Sequence, residues 1–226
     1  MRLKLYWHCY AQPYVADFFN ARLFMMMESG LWEQLNEIVL CTHNQEDHPH
    51  TQELKYKFAG DRRVRIVDHP DSVSPFNEQY TIRTLKQETD LDSEPSYILK
   101  IHNKGINFYN TPDWPPNKII ADEINNHVLK GWRNAVAKLD AGYEAAGTNW
   151  VKQPWPHFKG NHWWARSEFI QRVQLLPAPH EVGFRQQIPG GGWAIHDAES
   201  WLGTGNPLAW DLSRNTDQIG DHPDIH

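Results

Sequence analysis

Residues 96–105 read SYILKIHNKG, and this stretch decides the fold. From Ser96 to His102 the apolar and β-branched residues form a run of strand length and buried type, and Asn103-Lys104-Gly105 is an abrupt polar stop. Working back from it, Val64–Asp68 (VRIVD), Glu37–Thr42 (EIVLCT) and Leu3–Trp7 are three more such runs. Helical spacing separates them. Val15, Phe19, Leu23 and Met26 follow Pro13 and stop at Gly30, and Asn77–Thr89 reads as a helix after a proline-containing loop. Strands alternating with helices predict an α/β fold, a mostly parallel, doubly wound sheet with helices on both faces.

Working forward, Ile120, Ile124, Val128, Trp132, Val136 and Leu139 predict one long helix closed by Gly142. Tyr143–Val151 and His157–Ala165 read as strands, with a helix from Ser167 and a short one over Asp197–Leu202. No linker divides residues 1–226, so the expectation is a single domain: a first half of about 1–105, a second of about 106–203, and a polar tail over 204–226.

Composition narrows the function. The 226 residues carry 22 Lys+Arg against 28 Asp+Glu, a net charge of −6, which argues against nucleic acid as the partner. Hydrophobic residues at 40% exclude a disordered chain. No stretch approaches the roughly 20 apolar residues of a membrane span. The N-terminal MRLKLYWHCYAQPY breaks too early with polar residues for a signal sequence. With only Cys9 and Cys41, both expected as reduced thiols, this predicts a cytoplasmic protein. Nine of 11 tryptophans fall at or after Trp114, and indoles suit stacking on sugars as well as core packing.

In open parallel sheets ligands bind beyond the carboxyl ends of the strands, where strand order reverses. That rule selects His8–Tyr10, Thr42–Asn44, Asp68–His69 and His102–Gly105. No dinucleotide fingerprint, P-loop or GxSxG elbow is present. Glu78, Thr81 and Thr84 share a helix face that could meet a ribose or an acceptor. His43, His48 and His50 superficially suggest zinc, but HNQEDHPH reads better as a solvated loop.

An ordered series of motifs goes further: SGLW (29–32), YILKIHNKG (97–105), GWR (131–133), HFKGNHWWARSEFI (157–170) and DAESWLG (197–203). Over about residues 3–203 the chain resembles a family of small glycosyltransferase-like proteins with the GT-A nucleotide-sugar fold, from bacterial polysaccharide clusters and some viruses. The resemblance implies transfer of a sugar from a nucleotide diphosphate sugar, UDP-linked for preference, to a hydroxyl of a glycan acceptor, with inversion. His8, Tyr10, Thr42, His102, Lys104, Gly105 and Arg133 would bind the donor, Lys104 and Arg133 serving as cations for the diphosphate. Asn161 and one indole of Trp163-Trp164 would hold the acceptor, since alternation sends the two rings to opposite faces. Asp197 or Glu199 would remove the acceptor proton, and Pro189-Gly190-Gly191-Gly192 would close over the donor. Most GT-A enzymes hold Mn²⁺ or Mg²⁺ on an Asp-x-Asp after the fourth strand. Here His102-Asn103-Lys104-Gly105 stands in that place, so Lys104 and Arg133 would supply the charge directly, or His102 would hold a Mn²⁺ or Mg²⁺ ion. A non-catalytic carbohydrate-binding module and a sugar-nucleotide-modifying enzyme are the alternatives.

Overall fold

A computed structural model describes residues 1–9, 15–42, 46–69, 77–103, 112, 114–153, 156–175 and 197–214. The first half contains the four strands and two helices that the sequence predicts, with two further helices, α2 and α3, between them: β1 (Arg2–His8), α1 (Val15–Glu28), a short α2 (Leu31–Gln34), β2 (Glu37–Thr42), α3 (Pro49–Lys57), β3 (Val64–Asp68), α4 (Asn77–Leu91) and β4 (Ser96–His102). The second half contains α5 (Trp114–Asn125), a π turn (Asn126–Lys130), α6 (Trp132–Asp140), β5 (Ala145–Gly147), β6 (Trp150–Val151) and β7 (His157–Phe158). It ends with β8 (Trp163–Arg166), α7 (Ser167–Arg172), α8 (Asp197–Thr204) and β9 (Ala209–Asp211).

Seven strands form one sheet in the order β3-β2-β1-β4-β8-β5-β9, and β6 and β7 pair separately. β1 runs parallel to β2 and β4, and β2 parallel to β3. β8 alone is reversed, antiparallel to both β4 and β5, and β9 runs parallel to β5. Helices cover both faces, which is why the strands read as continuous apolar runs. One face packs Leu3, Leu5, Trp7 and Leu99 against Phe19 and Met26 of α1 and Ala135 and Leu139 of α6. The other packs Tyr6, Val39 and Ile98 against Ile82 and Leu85 of α4 and Trp201 of α8.

The differences from the sequence reading have local causes. The single long helix is broken: the Gly131 amide donates to the Asn126 carbonyl at 2.8 Å, five residues back, closing a π turn. A Cβ at Gly131 would stand 2.7 Å from the His127 carbonyl oxygen. The strand expected over 143–151 divides into β5 and β6 at Asn149, which has φ 55°. The strand expected over 157–165 divides at Gly160 and Asn161, both left-handed, with φ 77° and 52°. Part of the segment read as a loop is α3, whose start is capped by the His48 side chain, and part of the expected polar tail is β9. Cys9 and Cys41 are free, buried and adjacent, the Cys9 amide donating to the Cys41 carbonyl at 2.8 Å.

Candidate functional site

From β1 the chain winds outward to β2 and β3, then returns to place β4 on the other side of β1. Strand order therefore reverses between β1 and β4, and a crevice belongs at their carboxyl ends. His8 and His102 are register partners at that place.

One stripe of α4 lies across these strand ends. Residues 78, 81 and 84 recur at three-residue spacing and so share a helix face. Glu78 pairs with Lys100 of β4, Thr81 Oγ1 lies 3.1 Å from His8 Nδ1, and Thr84 Oγ1 lies 2.8 Å from His69 Nε2 beyond β3. Beside them the Thr42 hydroxyl donates to Asp68 Oδ1 at 2.6 Å. Thr42 is buried at the end of β2 and serves that strand pair.

On the opposite side of β4, the Lys159-Gly160-Asn161 turn supplies the acceptors. Lys100 is wholly buried and donates to the Asn161 carbonyl at 3.0 Å as well as to Glu78. His102 Nε2 lies 2.8 Å from the Gly160 carbonyl oxygen, and Nδ1 lies 3.5 Å from Glu78 Oε1. The Asn161 amide donates to Glu78 Oε1 and to the Ala198 carbonyl, each at 3.0 Å. Its Oδ1 accepts from Trp163 Nε1 at 2.9 Å. Asn161 thus joins α4, β4, β8 and the start of α8. Sequence reasoning found Asn161 through its motif; nothing local to residue 78 or residue 100 announces their pairing.

His8 and His162 are buried and neutral. Burial pushes His8 from 6.5 down to about 4, with Lys100 and His69 acting in the same direction against the pull of Glu78. Burial, aided by the charges of His102, Arg22 and Lys100, pushes His162 well below the usual range. His162 Nε2 lies 2.9 Å from the His102 carbonyl and takes over where the β4–β8 ladder ends at Lys100 and Trp163. Because the unfolded chain protonates His8 near 6.5 and the folded chain only near 4, stability is full above about pH 6.5 and falls as pH drops toward 4. For His8 the loss is about 3 kcal/mol. Urea midpoints at pH 7.5 and 4.5 check this, and the difference between them should shrink in His8→Gln.

Three expectations are corrected. Arg133 is at the other end of the molecule: it donates to the Ser29 carbonyl at 2.8 Å, just past α1, which runs back toward the strand starts. There Asn36 exchanges hydrogen bonds with Leu3 at the start of β1. Its guanidinium stacks on Trp132, 4.4 Å from the ring centroid. It therefore cannot serve the crevice, and Arg133→Ala should leave nucleotide affinity within about twofold by calorimetry, inside the tenfold that 1.4 kcal/mol represents.

Trp163 and Trp164 do point to opposite faces, but neither offers a platform. They are 1% and 0% exposed, since each face is covered by helices; Trp164 Nε1 donates to the Val128 carbonyl at 3.0 Å. His48 and His50 belong to the start of α3 rather than to a loop. His48 accepts from the His50 amide, and His50 packs edge-on to Phe19 at 5.8 Å.

Tyr10, Lys104, Gly105, His43 and the Pro189–Gly192 segment lie outside the described residues. Asp197 opens α8, its side chain outside the description, and Glu199 is half-buried one residue beyond the Ala198 that meets Asn161.

Among the described residues, no cluster of three or more His, Cys, Asp or Glu is placed to hold a metal. The chemistry of the strand end agrees poorly with Mg²⁺ or Mn²⁺, which favour oxygen donors. The Glu78 Oε1 oxygen already carries Lys100 and Asn161, and the His102 nitrogens face Gly160 and Glu78.

Asn103, within the strand end that the sequence selects, received no role of its own there. Its Oδ1 accepts from Trp7 Nε1 at 3.1 Å, while its buried Nδ2 has no partner among the described residues. No family model matches the chain, and no curated protein matches it either.

Proposed function

We propose that the chain is a glycosyltransferase that moves a sugar, with inversion, from a nucleotide diphosphate sugar to a carbohydrate hydroxyl, with a UDP-sugar as the favoured donor. The observation that carries the reading is the convergence at the carboxyl end of β4. The β1–β4 crevice is the switch point of a parallel sheet, and Asn161 ties it to the start of α8, where Asp197 and Glu199 lie. The sheet order, with its parallel first half and single reversed strand, supports the GT-A-like form of the fold.

In this reading the donor occupies the crevice, and its diphosphate leaves beside His102 and Asn103 at the end of β4. Preorganised positive groups there stabilise the charge that develops on the leaving oxygen. A carboxylate on α8 takes the proton of the attacking hydroxyl from the other side of the sugar. A binding module built on stacked tryptophans draws less support, because Trp7, Trp163, Trp164 and Trp201 are all at most 1% exposed.

Thermal unfolding in the presence of a panel of nucleoside diphosphates and their sugars tests the reading. A ligand at 100 times its Kd stabilises the fold by about 2.7 kcal/mol, and at least one nucleotide should do so. Stabilisation by oligosaccharides with none by any nucleotide would overturn the proposal in favour of a lectin.

A further inference from the structure

The stripe on α4 finds partners on β4, on β1 and beyond β3; unsatisfied polarity lies elsewhere on the same rim. Asn103 follows the last residue of β4, and Trp7 of β1 donates from Nε1 to its Oδ1 at 3.1 Å. One side chain thus bridges the two strands between which strand order reverses. Trp7 stacks on Phe19 of α1 with ring centroids 4.3 Å apart, which places the bridge on the α1 side. An indole N–H can only donate, so the amide has one orientation, with its oxygen toward Trp7 and the two protons of Nδ2 turned away. Nδ2 is sealed from solvent and has no hydrogen-bond partner among the described residues.

The neighbouring strand ends repeat the pattern. One residue beyond the register pairs of Trp163 with Lys100 and Gly147 stand His162 and Thr148, both wholly buried. His162 Nδ1 and Thr148 Oγ1 also lack a partner among the described residues. Buried polar atoms are rarely left so. Three of them, at the ends of the adjacent strands β4, β8 and β5, call for a common explanation.

We propose that the Asn103 amide is a ligand-binding donor, and that Nδ2 receives a hydroxyl oxygen of a sugar or ribose seated across the β1–β4 reversal. The position follows from the sheet, since ligands of parallel sheets bind where strand order reverses. The ligand class follows from the three groups. Asn103 Nδ2 only donates, whereas the Thr148 hydroxyl and a neutral imidazole nitrogen can each donate or accept. An ionised phosphate oxygen only accepts; a hydroxyl does both, so a polyhydroxylated ligand suits the mixture. Folding has already stripped Nδ2 of water, and the Trp7 bond has fixed its direction. Binding therefore adds a hydrogen bond without a fresh cost of desolvating or ordering the donor. Asn103 recognises the ligand and moves no proton. That the hydroxyls belong to a nucleotide sugar rests on the glycosyl-transfer reading; the donor site does not.

Side-chain amide ¹H–¹⁵N spectra of the full chain test this, with the Asn103 pair assigned through the backbone by triple-resonance spectra. Three sets of probes separate the sources: ribonucleosides for a ribose, methyl glycosides of the common hexoses for a transferred sugar, and inorganic pyrophosphate for a phosphate. The expected result is that a nucleoside or a methyl glycoside shifts the Asn103 signals and pyrophosphate does not. Asn103→Asp keeps the oxygen that faces Trp7 and replaces the donor by an acceptor. In it the affinity of the responding hydroxyl probe should fall about tenfold or more by calorimetry, with any pyrophosphate affinity held within about twofold. If Asn103→Asp does not fold, Asn103→Ala gives the same reading, and if neither folds the spectra of the unaltered protein decide. Asn103 signals that no hydroxyl probe moves, signals that pyrophosphate alone moves, or an affinity unchanged in Asn103→Asp would overturn the proposal. A glycoside or nucleoside held by Asn103 in a protein that turns over no nucleotide sugar would uphold this site and overturn the glycosyl-transfer reading. Sugar transfer with the Asn103 signals unmoved by the donor would do the reverse.

Discussion

Trp164→Ala should lose about 3–5 kcal/mol of folding stability, and Trp163→Ala a similar amount, as expected for removing a fully buried indole from a core that only partly collapses around the gap. The two rings lie on opposite faces of β8 and belong to different cores, so each substitution weakens one face of the sheet. Each also breaks a buried hydrogen bond: Trp164 Nε1 leaves the Val128 carbonyl in the π turn, and Trp163 Nε1 leaves Asn161 Oδ1. The second effect reaches the crevice, because Asn161 also holds Glu78 and the start of α8. For a chain of this length each kcal/mol is worth about 2–4 °C, so midpoints should drop by about 6–20 °C. A stable Trp163→Ala protein altered only in acceptor KM would contradict the burial described above and restore that indole as a sugar platform.

The largest expected effect on activity lies on α8. One of the two substitutions Asp197→Asn and Glu199→Gln, made separately, should lower kcat by about 10²–10⁴-fold, the usual contribution of a positioned general base. On the proposed reading nucleotide affinity should stay as it was, because the base would act on the acceptor and the donor would lie on the β1–β4 side. A loss confined to kcat and kcat/KM together marks an interaction made in the transition state. Near-normal kcat in both variants would move the base elsewhere and remove the support for inversion.

How much of this was legible in the sequence depended on the range of the interactions. β2, β3 and β4 agree with the sequence reading at both ends because each is an apolar run cut off by polar residues, a local signal. α3 carried almost none: PHTQELKYK buries only His50, Thr51 and Leu54, so no apolar stripe marks it. The long helix failed at Gly131 because apolar periodicity continued across a backbone break.

The point where strand order reverses was legible, since the strand-end rule needs only the order of elements, and the two residues it named on β1 and β4, His8 and His102, are register partners. The cradle around His102 was not. Glu78 meets Lys100 across 22 residues and Asn161 across 83, and only the tertiary fold brings them together. The tryptophan pair misled for a related reason. Alternation fixes which face a ring takes, but helices on both faces decide that neither ring reaches solvent.

The central claim is sugar transfer at the β1–β4 crevice, and acceptor-dependent release of nucleoside diphosphate tests it most directly. Purified protein is incubated with each of a panel of nucleotide sugars, with and without a carbohydrate acceptor mixture, and the released diphosphate and glycosylated product are quantified by mass spectrometry. The predicted result is one donor whose consumption requires acceptor, yields one glycosidic product per diphosphate, and falls by about 10²-fold or more in His102→Ala, the scale of losing a preorganised electrostatic group. Equal turnover with and without acceptor, or transfer unaffected by His102→Ala, would contradict it.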